Sequence, residues 1–240
     1  MEKEKIINEA AAAGIILTPE QALLFQRYFN LIMLYNQKFN LTRIVAEDEV
    51  LEEHFIEPLL AFAKGRDFAA NRLLDLGAGA GFPGIPLKIY LPGLDLILLD
   101  SSHKKTLFLQ TVLLDLCMEE ATVLCKRAED YGRGEGRGML EWVAARAFAP
   151  LNIALEIALP LLKPGGYFWA FKGPNYKEEL TDGEEILSLC GGRLEKIKTY
   201  TLPHSQKERF LLIFKKTAET DKRFPRRAGI PQKRPYLKSN

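Results

Sequence analysis

The sequence predicts an α/β protein built on an open, mostly parallel sheet of seven strands, preceded by an N-terminal helical extension. Two observations lead to this fold class. After residue 66, short apolar segments alternate with helical ones, and such alternation produces right-handed crossovers and a parallel sheet covered on both faces. The last two strand-like segments are separated by only a short loop, which predicts a terminal antiparallel hairpin.

Residues 1–66 are expected to form the helical extension. Its helices are predicted over residues 2–13, 19–36 and 47–64. The second helix has a capping residue, Thr18, followed by Pro19 in the first turn, which is the usual order at a helix start. Gly65 is expected to end the third helix because glycine accepts the left-handed conformation found there.

Residues 67–216 are expected to form the core that carries the sheet. The predicted strands cover residues 72–76, 94–99, 121–125, 141–145, 166–171, 193–202 and 208–214. Helices near residues 84–91, 103–118, 150–162 and 175–190 occupy the intervals. In an open sheet of this kind, ligands bind beyond the carboxyl ends of the strands, where the strand order reverses. The residues that follow each strand are therefore the first candidates for a site.

Residues 217–240 are expected to form a basic, proline-containing tail. From residue 215 onwards the chain holds nine Lys or Arg residues against two acidic ones, although the net charge of the whole protein is only +2. Three prolines in this segment disfavour a regular helix and predict an extended strap that could contact phosphates through Arg226 and Arg227. The alternative is a solvated terminus without a partner.

The composition of the 240 residues, 47% hydrophobic and 27% charged, is ordinary for a globular protein. A charged start and the lack of a long apolar run predict no membrane span and a cytoplasmic location. The odd number of cysteines, Cys117, Cys125 and Cys190, predicts buried free thiols and no metal site. The three histidines lack metal-ligand spacing and are expected to be structural or exposed. No dimerisation heptad is present, so a monomer is expected.

A glycine-dense turn at residues 77–84 follows the first predicted strand. Gly77, Gly79 and Gly81 let the backbone turn sharply and leave no Cβ in the way of a ligand. Asp75 precedes this turn, and a carboxylate there would repel a pyrophosphate but would suit a cation. The pattern therefore favours S-adenosylmethionine, which carries a sulfonium and an ammonium group and no phosphate.

Two alternatives to this cofactor stay open on the glycine turn alone. Residues 79–84 also match the dinucleotide pattern G-x-G-x-x-G, which is a weak signal by itself. Pro83 removes one amide from the turn and thus counts against a phosphate site. The turn could also be purely structural.

Polar residues follow the later strands as well. Asp100 could accept the two ribose hydroxyls of a nucleoside cofactor, or it could cap the turn at residues 101–103. Glu129 could meet an adenine amino group, or it could be an exposed loop acid. Arg146 stands among small apolar residues, where a charge needs a partner. Lys172 could contact a substrate phosphate or a guanine oxygen, or it could be a surface lysine.

Taken together, these segments resemble the bacterial small-subunit ribosomal RNA guanine-N7 methyltransferases, also called glucose-inhibited division protein B. The resemblance spans nearly the whole chain. It lies in residues 35–42, 75–87, 99–101, 127–129, 146–149, 171–173 and 224–231. Two departures fall in the helical extension: Tyr35 stands where the family often has tryptophan, and Glu57-Pro58 stands where it often has Asp-Ser.

The resemblance implies a Rossmann-like class I methyltransferase fold, S-adenosylmethionine as cofactor and 16S ribosomal RNA as substrate, either naked or as an assembled small-subunit particle. It places cofactor contacts on Gly77, Phe82, Asp100, Ala128, Glu129 and Arg146. It makes Arg127, Arg146, Lys172 and Arg209 candidates for positioning the RNA.

Guanine N7 carries a lone pair and no proton, so its methylation requires no general base. Arg146 and Lys172 are therefore expected to orient the reactants rather than to remove a proton. Two competing functions remain at this point: a non-catalytic RNA-binding protein on the same fold, and an oxidoreductase that binds a dinucleotide.

Overall fold

A seven-stranded sheet in the order β3-β2-β1-β4-β5-β7-β6 forms the centre of the computed structural model, which describes residues 1–65 and 71–236. The strands are β1 (Arg72–Leu76), β2 (Asp95–Asp100), β3 (Ala121–Cys125), β4 (Leu140–Arg146), β5 (Leu162–Lys172), β6 (Gly192–Thr201) and β7 (Glu208–Lys216). Strands β1 to β5 are parallel, and β7 runs antiparallel between β5 and β6. The predicted fold class, including the terminal hairpin, is confirmed.

The helices are α1 (Lys3–Ala12), α2 (Pro19–Phe39), α3 (Glu47–Glu49), α4 (Glu57–Gly65), α5 (Gly84–Tyr90), α6 (His103–Asp115), α7 (Ala128–Arg133), α8 (Leu151–Ala158), α9 (Tyr176–Leu189) and α10 (Ile230–Lys233). Thr18 caps α2 as expected, in a reciprocal capping box with Gln21. The single helix expected over residues 47–64 contains a π-helical segment, Val50–Ile56, between α3 and α4. Such segments are rare and often occur at functional sites.

The strand order reverses between β1 and β4, which are neighbours in the parallel part of the sheet. On one side of β1 lie β2 and then β3, whereas on its other side lie β4 and then β5. Leu73, Leu74 and Leu76 of β1 are fully buried, as expected for a strand covered on both faces. The carboxyl ends of β1 and β4 therefore define the place where this fold binds ligands.

The helical extension packs directly on one face of the sheet. Phe25 and Phe55 from the extension belong to the same apolar core as Trp142 of β4 and Trp169 of β5. The opposite face is covered by α7, α8 and α9. The expected boundary between extension and core, at residues 66 and 67, lies outside the described residues, so the domain limits stay a prediction.

The C-terminal tail differs from the extended basic strap that the sequence predicted. Phe224 is 1% exposed and joins the apolar core, and residues 230–233 form α10. Arg226 pairs with the buried carboxylate of Glu156, with 2.6 Å between Nη2 and Oε2. Arg226 is thus held by the protein itself, so this geometry does not support its expected role as a phosphate contact. Arg227 is exposed, and its contact with RNA stays a prediction.

The cysteines correct a second expectation. Only Cys190 is buried, whereas Cys117 and Cys125 are exposed, because the first follows α6 in a surface turn and the second ends the edge strand β3. Within residues 1–65 and 71–236, no three His, Cys, Asp or Glu side chains cluster as metal ligands would. None of the helices in these ranges has the length and apolar character that a bilayer crossing requires.

The ion pair between Arg226 and Glu156 provides a test of whether the C-terminal tail docks on the protein as described. Arg226→Ala leaves a buried carboxylate without its cation, and we expect the free energy of unfolding to fall by about 3 kcal/mol. Urea denaturation measures this change. Arg227→Ala, at an exposed position, is the control and should stay within about 0.5 kcal/mol of the wild type.

Replacing both members, as Arg226→Met with Glu156→Leu, should recover most of the lost stability because apolar groups of similar size need no charge partner. If Arg226→Ala is as stable as Arg227→Ala, the tail does not dock as described.

Candidate functional site

Two adjoining cavities lie at the carboxyl ends of the parallel strands. The central cavity, about 710 Å³, is bordered by Gly79, Phe82, Arg146 and Lys172 among others. The outer cavity, about 240 Å³, is bordered by Asp100, Arg127, Ala128, Glu129 and Gln232 among others. Gly77, Lys105 and Ala147 border both, so the cavities form one continuous cleft over the end of β1.

The glycine turn forms the floor of this cleft. Three glycines of the turn have positive φ angles, a backbone conformation that residues with a side chain rarely adopt. The angles are +72° at Gly77, +60° at Gly79 and +100° at Gly81. A Cβ at Gly77 would collide with the Phe148 ring, and one at Gly81 would meet Ile85 and Tyr28. A Cβ at Gly79 would meet only the carbonyl oxygen of Gly77, at 3.8 Å. Gly79 thus leaves bare backbone facing open space, as a closely bound ligand requires.

Most amides of this turn already have acceptors. Gly79 N–H donates to Oδ2 of Asp100 over 2.9 Å, and Gly84 N–H donates to Oδ2 of Asp75 over 2.8 Å. The other donating amides of the turn bond to backbone carbonyls of Leu99 and Ala78. A pyrophosphate would need these amides and would lie against the carboxylate of Asp100. The geometry therefore disfavours a dinucleotide and agrees with a cofactor that has no phosphate.

Asp75 does not border either cavity. Its side chain is fully buried under the turn, and Oδ1 has no hydrogen-bond partner among the described residues. Burial raises the pKa of the Asp75 carboxyl to about 7. The expected contact of this carboxylate with the cofactor is therefore not supported, because Asp75 instead ties the turn to the start of α5. Gly81 also shapes the turn without bordering the cleft.

Asp100 ends β2 at the outer cavity, and the structure shows the capping role considered for it while leaving the ribose contact a prediction. One oxygen accepts from Gly79 N–H, and the other accepts from Ser102 N–H over 2.8 Å, at the start of α6. Each carboxylate oxygen can accept more than one hydrogen bond, so capacity remains for ribose hydroxyls. Asp100 thus links the turn, α6 and the cavity wall.

Glu129 lies beside Ala128 at the start of α7, and each is 8% exposed. The interpretation of Glu129 as an exposed loop acid is therefore wrong. Its Oε1 accepts a hydrogen bond of 2.9 Å from the backbone N–H of Gly229, a residue of the C-terminal tail. The other carboxyl oxygen accepts no hydrogen bond from the residues that the structure describes, so it can serve a ligand in the outer cavity.

Arg146, at the end of β4, is the centre of the polar network in the central cavity. Its Nη1 lies 3.0 Å from Oε2 of Glu57 and also donates to the backbone carbonyl of Glu53. Its Nη2 lies 2.7 Å from Nδ1 of His54. Arg209 binds the other oxygen of Glu57, over 3.1 Å. Burial raises the pKa of Glu57, and these two guanidinium groups oppose that rise.

His54 is a neutral member of this network. Burial and the charge of Arg146 lower the pKa of His54 to about 3. Because a guanidinium can only donate, Nδ1 accepts from Arg146, and Nε2–H faces Oγ1 of Thr42 at 2.9 Å. The ring stacks on Phe82 with 4.1 Å between centroids. His54 therefore holds Arg146 and Phe82 in place and cannot act as an acid or a base near neutral pH.

Lys172, at the end of β5, is 12% exposed and is not a surface lysine. Its Nζ lies 2.6 Å from Oε2 of Glu179 and 3.2 Å from the carbonyl oxygen of Ala149. Glu179 thus keeps this ammonium group at the mouth of the central cavity. Lys105 at the shared border is a further cation that the sequence interpretation did not single out.

The structure brings most of the predicted site residues to one cleft: Gly77, Gly79, Phe82, Asp100, Arg127, Ala128, Glu129, Arg146, Lys172 and Arg209. Asp75, Gly81, Arg226 and Arg227 do not border it. The sequence interpretation missed His54 and Glu57, which meet Arg146 there. The signal was present, because His54 and Glu57 stand three residues apart in one predicted helix and such residues lie on the same face.

Comparison with known proteins agrees with this geometry. The family model for rRNA small subunit methyltransferase G matches residues 21–209. The chain belongs to this family. A relative named ribosomal RNA small subunit methyltransferase G, from Carboxydothermus hydrogenoformans, is 42% identical, with 94% of this chain and 96% of the relative covered. A relative of the same name from Lactobacillus acidophilus is 41% identical, with 98% and 99% covered.

Solved structures show the same fold at low sequence identity. TrmN from Thermus thermophilus is 18% identical, with a TM-score of 0.50 over 69% of this chain and 53% of that one. A chain from the complex of the Haloferax volcanii Trm112 methyltransferase activator with a methyltransferase has a TM-score of 0.52, with 14% identity and 73% and 95% covered. This chain thus has the Rossmann-like fold predicted above, and its membership of the methyltransferase family sets aside the dinucleotide interpretation of the glycine turn.

The pKa of Asp75 predicts a pH dependence of stability. The unfolded carboxyl has a pKa of about 3.9, so the native state binds an additional proton between about pH 4 and pH 7. The stabilising contribution is complete below the unfolded pKa and is lost as pH rises through about 7. Asp75→Asn keeps an oxygen for Gly84 N–H but does not titrate.

We therefore expect the stability of the wild type relative to Asp75→Asn to decline between about pH 4 and pH 8. Urea denaturation at a series of pH values measures both proteins. A difference that does not change with pH would contradict the raised pKa.

Proposed function

We propose that this chain transfers the methyl group of S-adenosylmethionine to N7 of a guanine in 16S ribosomal RNA. The names of its relatives support the ribosomal RNA of the small subunit as substrate. The observation that carries the proposal is the cleft itself, in which a glycine turn whose amides donate to the protein lies between an outer cavity with the carboxylates of Asp100 and Glu129 and a central cavity with the ion-paired cations Arg146 and Lys172. Those two ends suit a cationic nucleoside and an RNA base, respectively.

The residues present fit the methyl donor. Asp100 would accept the ribose hydroxyls, Glu129 and the adjacent backbone of Ala128 would meet the adenine, and the bare backbone at Gly79 would allow close approach. Phe82 would border the cofactor at the central cavity. When bound, S-adenosylmethionine supplies a methyl group activated by its sulfonium charge.

The central cavity suits a guanine whose N7 becomes positive as it is methylated. The guanidinium of Arg146 can donate to O6, the acceptor next to N7. A bare cation close to N7 would oppose the developing charge, but Arg146 is paired with Glu57, Arg209 is paired with both Glu57 and Glu53, and His54 is uncharged. Lys172 is similarly paired with Glu179. The network can therefore orient the base with little net positive charge.

No proton has to leave guanine N7, and the cleft contributes alignment. Holding donor and acceptor in line can lower the barrier by about 7–11 kcal/mol. Arg146 and Lys172 are the orienting groups in this proposal, with Arg127 and Arg209 positioning the RNA backbone. Action as a cytoplasmic monomer, and on naked RNA or on an assembled particle, stays a prediction from the sequence.

The open space above Gly79 gives the first test. Gly79→Leu places a side chain in the cleft, so we expect calorimetry to show no binding of S-adenosylhomocysteine and cells relying on this variant to lack the N7-methylguanine in 16S ribosomal RNA. Gly138→Leu is a matched control, because Gly138 has a similar φ of +65° and lies in open space away from the cleft. It carries the same backbone strain and should bind and methylate normally.

Methylguanine mapping in cells with the wild-type gene, without it, and with each variant completes this test. If the modified guanine persists without the gene, or if Gly79→Leu supports methylation, the proposed function is wrong. A protein that binds RNA but not S-adenosylhomocysteine would instead fit the non-catalytic alternative.

The orienting role of Arg146 gives a second test. The single ammonium group of Arg146→Lys cannot hydrogen-bond to Glu57 and His54 at the same time. We therefore expect the single-turnover rate of methyl transfer to fall about 10- to 100-fold, because the guanine is no longer aligned with the methyl donor. The shape of the pH–rate profile should not change, since no proton transfer depends on this side chain. Arg193→Lys, on the edge strand β6 and paired only with Glu195 among the described residues, should leave the rate unchanged.

Loss of an ionisation from the pH–rate profile of Arg146→Lys would show that the network takes part in proton transfer. That result would overturn the orienting mechanism.

A further inference from the structure

The segment after β7 returns to the face of the sheet covered by α7 and α8. Phe224 is buried there, and its carbonyl oxygen accepts a hydrogen bond of 2.6 Å from Arg137. Arg133 of α7 donates to the carbonyl oxygen of Pro225 over 3.1 Å. Pro225 packs against Gly132, where an added Cβ would lie 3.2 Å from the proline ring. The start of this segment is thus fixed to α7.

A second set of contacts fixes the segment to α8. The backbone N–H and Nε of Arg226 both donate to Oε1 of Glu156, over 3.0 and 2.8 Å. Nη1 of the same arginine reaches the carbonyl oxygen of Arg234 over 2.8 Å, and its guanidinium lies 4.5 Å from the Tyr236 ring centroid. Asn152 of α8 donates to the carbonyl oxygen of Tyr236 over 2.7 Å. The chain between Arg226 and Tyr236 is therefore held at both ends.

The held part of the chain reaches the outer cavity. Gly229, with φ +78°, turns its N–H to Oε1 of Glu129 at 2.9 Å. Gln232 of α10 borders the cavity together with Asp100 and Glu129. Gln232 is exposed, and its amide makes no hydrogen bond within the described part of the chain. The outer cavity thus has a wall that comes from the tail rather than from the sheet and its helices.

We propose that residues 224–236, the closing segment, complete the adenosine end of the methyl-donor site, with Gln232 as a binding residue for the adenine. This inference rests on the proposed function. Gly229 N–H orients the carboxyl of Glu129, and the Gln232 amide offers one acceptor and two donors to the edge of the adenine, whose amino group donates and whose ring nitrogens accept. The tail that the sequence assigned to RNA phosphates thereby acts first on the cofactor.

Calorimetry with S-adenosylhomocysteine tests the role of Gln232. We expect Gln232→Ala to raise the dissociation constant roughly 3- to 10-fold, as the loss of one or two ligand hydrogen bonds would. Lys233→Ala is the matched control, since Lys233 is an exposed neighbour on the same short helix and does not border the cavity. Both positions are exposed, so thermal unfolding of the free proteins should be unchanged.

A chain that ends at Ala228 removes Gly229 and Gln232 together but keeps Phe224 and Arg226. We expect its affinity for S-adenosylhomocysteine to fall further than that of Gln232→Ala, because Glu129 also loses its orienting N–H. The salt dependence of binding to a 16S ribosomal RNA fragment should be the same for Gln232→Ala and the wild type, since no charge is removed.

The outcomes separate this inference from the proposed function. If the wild type does not bind S-adenosylhomocysteine, the proposed function fails. If the wild type binds it and Gln232→Ala binds equally well, the proposed function stands and the inference about the closing segment is overturned.

Discussion

The structure of the cleft depends on where the amides of the glycine turn donate. Asp75, under the turn, accepts from Gly84, and Asp100, beside it, accepts from Gly79. These bonds hold the turn open over the end of β1 and at the same time remove the donors that a phosphate would need. Two carboxylates from adjacent strands thus decide both the shape of the floor and the chemical class of ligand that can lie on it.

In the central cavity, where the guanine is proposed to bind, the charged side chains are paired with one another. Arg146 and Arg209 share the buried carboxylate of Glu57, Arg209 also pairs with Glu53, and neutral His54 accepts from Arg146. A balanced network supplies directional donors without a strong positive field, which suits a reaction that leaves a positive charge on the base. Since Glu57 and His54 come from the helical extension, this part of the chain belongs to the site as well as to the core.

The tail shows that a run of basic residues in the sequence need not form a phosphate-binding surface in the folded protein. Its basic residues predict a phosphate-binding strap, but Arg226 is neutralised by Glu156, and the apolar Phe224 is buried. The fold uses the segment to cover α7 and α8 and to reach the outer cavity. In the site proposed above, cofactor binding and docking of the tail are connected through the hydrogen bond between Gly229 and Glu129.

The order of strands and helices, the glycine turn and the polar residues after each strand follow from the sequence by itself, because they depend on short-range periodicity and on residues close together in the chain. The pairing of Arg146 with His54, of Arg226 with Glu156, and of Glu129 with Gly229 was decided only by the tertiary structure. These partners lie 92, 70 and 100 residues apart, respectively. Nothing in a local pattern specifies which buried carboxylate neutralises which distant arginine, because burial and proximity arise only when the chain has folded.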